Sequence, residues 1–135
     1  VAANVGADDF DALVIPGGWA PDRLRRYPEV VRFVRAMCEG GRIVAAICHG
    51  GSVLVSAGVL RGRRITGSLG IKDDLEAAGG RFEDAEAVRD GNLISSRSPS
   101  DLPAFCRTII DAVNERRHAG PSAGERPSVG PETAA

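Results

Sequence analysis

The chain has 135 residues, of which 43% are hydrophobic and 26% charged, the composition of a single soluble globular domain. Its 17 lysines and arginines nearly balance its 18 aspartates and glutamates, so no basic surface for nucleic acid is expected. No apolar run approaches the roughly 20 residues that a membrane-spanning helix needs. The three cysteines stand at unrelated spacings and suggest no disulfide framework, so we expect free thiols in a reducing cytoplasm.

The first half of the chain alternates the patterns of buried strands with those of helices. Residues 10–15 (FDALVI) and 42–47 (RIVAAI) are nearly continuous apolar runs, typical of strands buried on both faces of a parallel sheet. Between them we expect a loop over residues 17–27 and then a helix over 28–39, which begins at a proline and ends before two glycines. A further helix is expected over residues 50–57.

The second half contains shorter elements. Residues 65–66 form a candidate third strand, and residues 72–78 a short amphipathic helix. Residues 87–89 and 93–95 flank an Asp-Gly pair, a combination that predicts a tight β-hairpin.

The last helix has a strong apolar stripe, and Asp101 is placed to cap its start. The stripe follows helical spacing and consists of Leu102, Phe105, Cys106, Ile109, Ile110 and Val113. From about Arg117 the chain is rich in Gly, Pro, Ser, Glu and Ala without periodicity. We therefore expect one folded domain over residues 1–116 and a disordered tail over residues 117–135.

Strands that alternate with helices predict a doubly wound, mostly parallel α/β sheet, here with a small β-hairpin. In such sheets ligands bind beyond the carboxyl ends of the strands. Two segments rich in glycine follow the two buried strands, namely Pro16-Gly17-Gly18 and Cys48-His49-Gly50. We therefore expect a functional site where these two segments meet.

Cys48 is the candidate nucleophile of this site. It stands between a buried strand and a helix, among small residues that allow a sharp turn, as in a nucleophile elbow. The positive end of the helix dipole favours the thiolate, which is the reactive form. The alternative is that Cys48 is a small buried apolar residue, the commoner fate of a free cysteine. The Cys-His-Gly-Gly sequence at a strand end favours the nucleophile.

The other polar candidates are weaker. Cys38 and Cys106 fall on apolar helix faces and are expected to lie in the core. His118 lies next to the predicted tail, far in sequence from Cys48, so neither a metal site nor a cofactor is expected.

His49 is a candidate base, provided that the elbow turns its side chain and that of Cys48 toward one cleft; otherwise it is an exposed residue at the start of a helix. The backbone N–H groups of Gly18 and His49 are candidates for an oxyanion hole, and the alternative for the glycines is an ordinary turn at a strand end.

The chain resembles the PfpI intracellular protease branch of the DJ-1/PfpI superfamily, whose flavodoxin-like fold is related to class I glutamine amidotransferase domains. The resemblance runs in family order from about Asp9 to Val113. It rests on the stretches FDALVIPGG, APDRLR, AAICHG, SAGVLRGR, GIKDDLEAAG and DGNLISSRSPSDLPAF. AICHG alone would only be suggestive, whereas the set is specific.

This resemblance implies roles for four residues. Cys48 would be the nucleophile and His49 its base, with the N–H groups of Gly18 and His49 as the oxyanion hole. The family's acid falls in the Ala-Pro-acid motif, here Asp22, and would reach the histidine of a neighbouring subunit in a homodimer or hexamer.

The sequence also departs from the family pattern. Gly51 stands where many members have proline, and Ser68 where some have tyrosine. Family members begin with a strand and a helix whose glutamate hydrogen-bonds the thiol, and no segment here corresponds to them. We therefore expect that the first strands of the sheet are missing and that the sequence is a fragment of a longer protein, since a sheet without them would leave an open apolar edge.

The resemblance implies a stress-related, cysteine-dependent enzyme that attacks carbonyl groups. Peptide hydrolysis and glyoxalase III or deglycase chemistry both begin with thiolate attack on a carbonyl, and the sequence does not separate them. The APD and DLPAF stretches resemble general stress protein members, which favours the aldehyde substrate. The alternative is a redox-sensing or chaperone-like module without catalysis, because an accessible reactive cysteine is also what peroxide oxidises.

Overall fold

Two parallel strands with a glycine-rich turn after each lie side by side in the sheet. The computed structural model describes residues 1–119. Strand β1 (Ala12–Ile15) pairs in parallel with β2 (Ile43–Ile47), and β2 pairs in parallel with β6 (Leu93–Ser96). Strand β5 (Val88–Asp90) lies antiparallel to β6, which gives the sheet order β1-β2-β6-β5. The predicted α/β sheet and its β-hairpin are confirmed.

The helices cover both faces of this sheet. They are α1 (Ala20–Leu24), α2 (Pro28–Glu39), α3 (Gly51–Ala57), α4 (Lys72–Ala77) and α5 (Leu102–Ala119). Every residue of β2 is buried, and its side chains alternate between two apolar clusters. Val44 and Ala46 belong to the cluster that contains residues of α2 and α3, whereas Ile43, Ala45 and Ile47 belong to the cluster that contains Phe105 of α5. This double burial explains the continuous apolar sequence of the strand.

Two short elements differ from the prediction. The expected loop over residues 17–27 contains α1, which has Pro21 in its first turn, where proline is well tolerated. Strand β3 (Arg64–Ile65) pairs in parallel with β4 (Arg81–Phe82), which was not predicted. Elements of two to five residues are too short to show a period in the sequence.

Helix α5 corrects the prediction for its apolar face. Phe105 and Ala112 are buried against the sheet, while Cys106 and Ile110 are exposed, so the placement of Cys106 in the core was wrong. Cys106 follows Phe105 and is therefore rotated about 100° around the helix from the buried side. The helix continues to Ala119 and so contains the first three residues of the predicted tail. Residues 120–135 lie outside the described residues.

The segment before β1 contains two 3₁₀ turns, over Ala2–Asn4 and Ala7–Asp9. Ala7 packs against the cluster beneath α2, and Asp8 pairs with Arg42 at 3.2 Å. Within residues 1–119, none of the helices combines the length and the apolar character needed to cross a membrane.

Candidate active site

Cys48 lies in a sharp turn directly after β2. Its φ is 60°, and it is the only residue other than glycine with a positive φ among the described residues. Such a conformation costs a side-chain-bearing residue about 1–3 kcal/mol. It is held by the ladder of β2 and by the Ser68 N–H, which donates to the Cys48 carbonyl at 3.1 Å. The strained elbow expected from the sequence is therefore present.

Two glycines allow the two strand ends to meet at this turn. A Cβ on Gly17 would lie 2.8 Å from the Cβ of Cys48, and a Cβ on Gly50 would lie 2.7 Å from the carbonyl oxygen of Ile15. Neither position has room for a side chain. The turn after β1 and the turn after β2 are therefore in direct contact. This contact was expected, because the carboxyl ends of parallel strands lie at the same edge of the sheet.

The elbow brings the side chains of Cys48 and His49 together. The Nδ1 atom of His49 lies 3.3 Å from Sγ of Cys48, within hydrogen-bond distance for sulfur. The ring of Trp19 stacks on the imidazole, with centroids 6.4 Å apart and planes 26° from parallel. The Nε2 atom faces Gly70, because a Cβ added to Gly70 would lie 3.5 Å from it. Within residues 1–119, Nε2 has no hydrogen-bond partner.

A cavity of about 290 Å³ opens over the thiol. Its lining consists of Gly17, Gly18, Ile47, Cys48, Pro99 and Leu102. Gly18 has a φ of 69°, and its N–H has no hydrogen-bond partner in the described chain. A small carbonyl compound fits a cavity of this size and apolar character.

Asp22 does not reach the site of its own chain. Its carboxylate on α1 lies 2.6 Å from Nη2 of Arg26, one helical turn away, and more than half of its side chain is exposed. No hydrogen bond joins it to His49 within the described residues. The structure thus brings together Gly18, Cys48 and His49, but not Asp22.

The loop after β6 forms the remaining wall of the cavity. Asp101 was expected to cap α5, but its carboxylate instead accepts hydrogen bonds from the backbone N–H of Arg97 at 3.0 Å and from its guanidinium at 2.8 and 2.9 Å. Asp101 is buried, and Arg97 also pairs with Asp84. This ion pair closes the loop that carries Pro99 and Leu102 over the thiol.

The Arg97–Asp101 pair makes stability depend on pH. The hydrogen bonds from Arg97 hold the pKa of Asp101 below its usual range. Stability from a lowered carboxyl pKa is present above the unfolded-state value and is lost as the pH falls through the folded-state value. We expect Asp101→Asn to lower the free energy of unfolding by about 1–2 kcal/mol near pH 7. Below about pH 5, the free energy of unfolding of this variant should depend less on pH than that of the wild type. Urea unfolding between about pH 3 and 7 measures both effects.

Asp84→Asn is the matched control for this prediction. Asp84 binds the same guanidinium through one hydrogen bond, but 67% of its side chain is exposed. We expect it to change the free energy of unfolding by less than about 0.5 kcal/mol. Equal losses for the two variants would contradict the role given to Asp101.

The strain at Cys48 gives a second prediction. Because glycine adopts a positive φ without steric cost, Cys48→Gly should be about 1 kcal/mol more stable than Cys48→Ala. At Cys38, inside α2, the same comparison should have the opposite sign, because glycine weakens a helix interior. Thermal or urea unfolding of the four variants checks both signs. A glycine variant less stable than the alanine variant at both positions would show that the turn is not strained.

The other two cysteines have different surroundings. Cys38 is buried as predicted, and this burial raises the pKa of its thiol. Cys106 is exposed on α5. Among residues 1–119, no group of three or more His, Cys, Asp or Glu side chains is arranged to hold a metal ion.

Sequence reasoning missed three residues at the site. Trp19 was placed in a loop without a role, although an aromatic residue directly after Gly17-Gly18 was a usable signal. Pro99 and Leu102 line the cavity because β6 ends beside β2, and this neighbour relation is not visible in the sequence alone.

The mostly parallel α/β sheet and the strained turn at Cys48 define an α/β protein with a cysteine nucleophile elbow. Comparisons with known proteins agree with this class. The DJ-1/PfpI family profile matches residues 1–112. A two-domain protein from Anabaena variabilis, with a DJ-1/ThiJ/PfpI-like and a ferritin-like domain, superposes with a TM-score of 0.83 and 46% identity. That match covers 84% of this chain and 34% of the other. The chain belongs to the DJ-1/PfpI family.

Two relatives carry functional names. A Pyrococcus abyssi protein named a deglycase is 53% identical over 107 residues, which are 79% of this chain and 64% of that protein. YraA of Bacillus subtilis, named as a candidate cysteine protease, is 47% identical over 111 residues, which are 82% of this chain and 66% of YraA. The chain therefore spans slightly less than two thirds of the length of these relatives.

Proposed function

We propose that this chain carries the nucleophilic site of a cysteine-dependent enzyme that attacks the carbonyl group of small aldehydes, with glyoxalase III or deglycase activity. The observation that carries the proposal is the geometry at Cys48. Its thiol stands at a positive φ after β2, 3.3 Å from Nδ1 of His49 and facing a small apolar cavity. The name of the Pyrococcus relative supports a deglycase.

The first step forms a bond from Sγ to the aldehyde carbon. His49 takes the thiol proton, the thiolate adds to the carbon, and the carbonyl electron pair moves to oxygen. The N–H groups of Gly18 and His49 would donate to that oxygen, and the free Gly18 N–H in the wall of the cavity supports this role.

With methylglyoxal as substrate, the adduct is a hemithioacetal. The proton on the former aldehyde carbon then moves to the neighbouring carbonyl carbon, and the hydroxyl proton moves from the first oxygen to the second, which gives a lactoyl thioester. Water then cleaves the thioester, which releases lactate and restores the thiol. Methylglyoxal and one water are consumed for each lactate, and no oxidant or reductant is required.

Lactate formation tests this function. The 135-residue chain is incubated with methylglyoxal, and lactate is measured for the wild type, Cys48→Ala and Cys106→Ala. We expect lactate from the wild type and Cys106→Ala, and only the background rate from Cys48→Ala. Equal rates for the wild type and Cys48→Ala would refute the proposal.

Peptide cleavage on the same preparations tests a second function. The name of YraA favours it, and it uses the same thiolate attack. Cleavage that depends on Cys48, without lactate formation, would assign the chain to peptidases. Rapid oxidation of Cys48 by peroxide, with neither activity, would instead favour the redox-sensing module.

Asp22 enters the proposal as a group supplied by a neighbouring copy of the chain in a homo-oligomer. Its exposed position on α1 and its lack of contact with His49 in the same chain support this arrangement. Mixing Asp22→Asn with Cys48→Ala should then restore activity, because one mixed site combines an intact Cys48 with an intact Asp22. No recovery after the subunits have exchanged would contradict the shared site.

A further inference from the structure

Trp19 is exposed, yet its ring is aligned with the imidazole of His49. Its relative exposure is 87%, so burial against the core does not explain its position. Among residues 1–119, its one ring contact is with His49, at a centroid distance of 6.4 Å and an interplanar angle of 26°. Offset stacking of aromatic rings is favourable at such distances.

Within a single chain, few other contacts fix the orientation of this imidazole. Nδ1 faces Sγ of Cys48, whereas Nε2 has no hydrogen-bond partner within residues 1–119 and lies beside Gly70, which has no side chain. The second side-chain torsion of histidine has a broad energy profile, so a ring with one weak hydrogen bond can turn away. Within residues 1–119, the ring of Trp19 is the only aromatic ring stacked on this imidazole.

We propose that Trp19 is a positioning residue that holds His49 with Nδ1 toward the thiol of Cys48. This inference rests on the proposed function, in which His49 is the base. In the step concerned, a proton leaves Sγ and bonds to Nδ1, giving a thiolate and an imidazolium, and nothing else changes.

The elements packed against the turn of His49 carry few titratable groups. The turn of His49 contributes the thiol of Cys48, and the loop over residues 68–71 contributes no titratable group. Helix α1, which begins after Trp19, contributes Arg23 and Asp22, and Asp22 is paired with Arg26.

Fluorescence tests the stack without any need for activity. Trp19 is the only tryptophan in the chain, and His49 and His118 are the only histidines. Because the indole ring of Trp19 is stacked on the imidazole, removing that imidazole in His49→Gln should change the emission intensity of Trp19 near pH 7. His118→Gln should leave the emission unchanged. Unchanged emission in His49→Gln would overturn the inference.

Alkylation of Cys48 by iodoacetamide near pH 7, followed by peptide mass spectrometry, tests the positioning. Trp19→Ala should slow it about three- to tenfold, while Trp19→Phe keeps a ring and should remain within about twofold of the wild type. Ile110→Ala removes an exposed apolar side chain on α5 and should have no effect.

Steady-state kinetics separates positioning from substrate binding. In lactate formation, Trp19→Ala should lower kcat and leave KM unchanged. An unchanged alkylation rate in Trp19→Ala, or a rise in KM alone, would overturn the inference. If Cys48→Ala still forms lactate, the proposed function fails instead, and the fluorescence and alkylation results decide on Trp19 independently.

Discussion

Gly50→Ala is expected to lower the free energy of unfolding by about 3 kcal/mol, the upper end of the usual cost of overpacking. The added Cβ would lie 2.7 Å from the carbonyl oxygen of Ile15 and 3.1 Å from that of Pro16. Both atoms belong to the backbone, so the contact cannot be relieved by turning a side chain. The elbow must move away from β1, whose Ile15 is paired in register with Ala46 of β2.

Gly6→Ala is the matched control for this substitution. A Cβ there would meet only Oδ2 of Asp9, at an ordinary distance of 3.7 Å, and Gly6 has a negative φ. We expect a change within about 1 kcal/mol. Urea unfolding of both variants gives the comparison. If Gly50→Ala were as stable as Gly6→Ala, the close contact between the two turns would be wrong.

His49→Gln is expected to lower kcat/KM for lactate formation by about 10²- to 10⁴-fold, the usual contribution of a positioned general base. Glutamine has a similar reach, but it cannot take the thiol proton that Nδ1 is placed to accept at 3.3 Å. Because His49 is only partly buried, the variant should fold. Far-UV circular dichroism verifies the fold, and the rate near pH 7 gives the loss.

The other histidine supplies the control for this loss. His118 lies in the last turn of α5 and is exposed, so His118→Gln should retain the wild-type kcat/KM. The rate of His49→Gln should also rise with pH, as hydroxide and bulk solvent replace the lost base. A loss of less than about threefold would contradict the assignment of His49 as the base.

The central part of this fold could be predicted because its signals are local. The apolar run from Ile43 to Ile47 predicts burial on both faces of the strand. Gly50 and Gly51, shortly after it, allow a sharp turn. Cys48 was placed in that turn by its neighbours in sequence alone. The contact between the turns after β1 and β2 followed from the rule that parallel strands end at one edge of the sheet.

Other features could not be predicted because they depend on packing between distant segments. Asp101 has the sequence position of a helix cap, but its carboxylate binds Arg97, since the loop folds back over the end of β6. Cys106 fits the apolar stripe of α5, yet Ala104 and Phe105 turn the helix so that it faces outward. The stack of Trp19 on His49 joins two turns that follow different strands.

Alkylation of the three cysteines in competition tests the nucleophile most directly. The native chain is treated with limiting iodoacetamide near pH 7, and modification of Cys38, Cys48 and Cys106 is followed by peptide mass spectrometry. By exposure alone Cys106 should react first, because it is exposed, Cys48 is half-buried and Cys38 is buried. An activated thiolate at the elbow predicts that Cys48 reacts at least about tenfold faster than Cys106. Faster modification of Cys106 would contradict a nucleophilic Cys48.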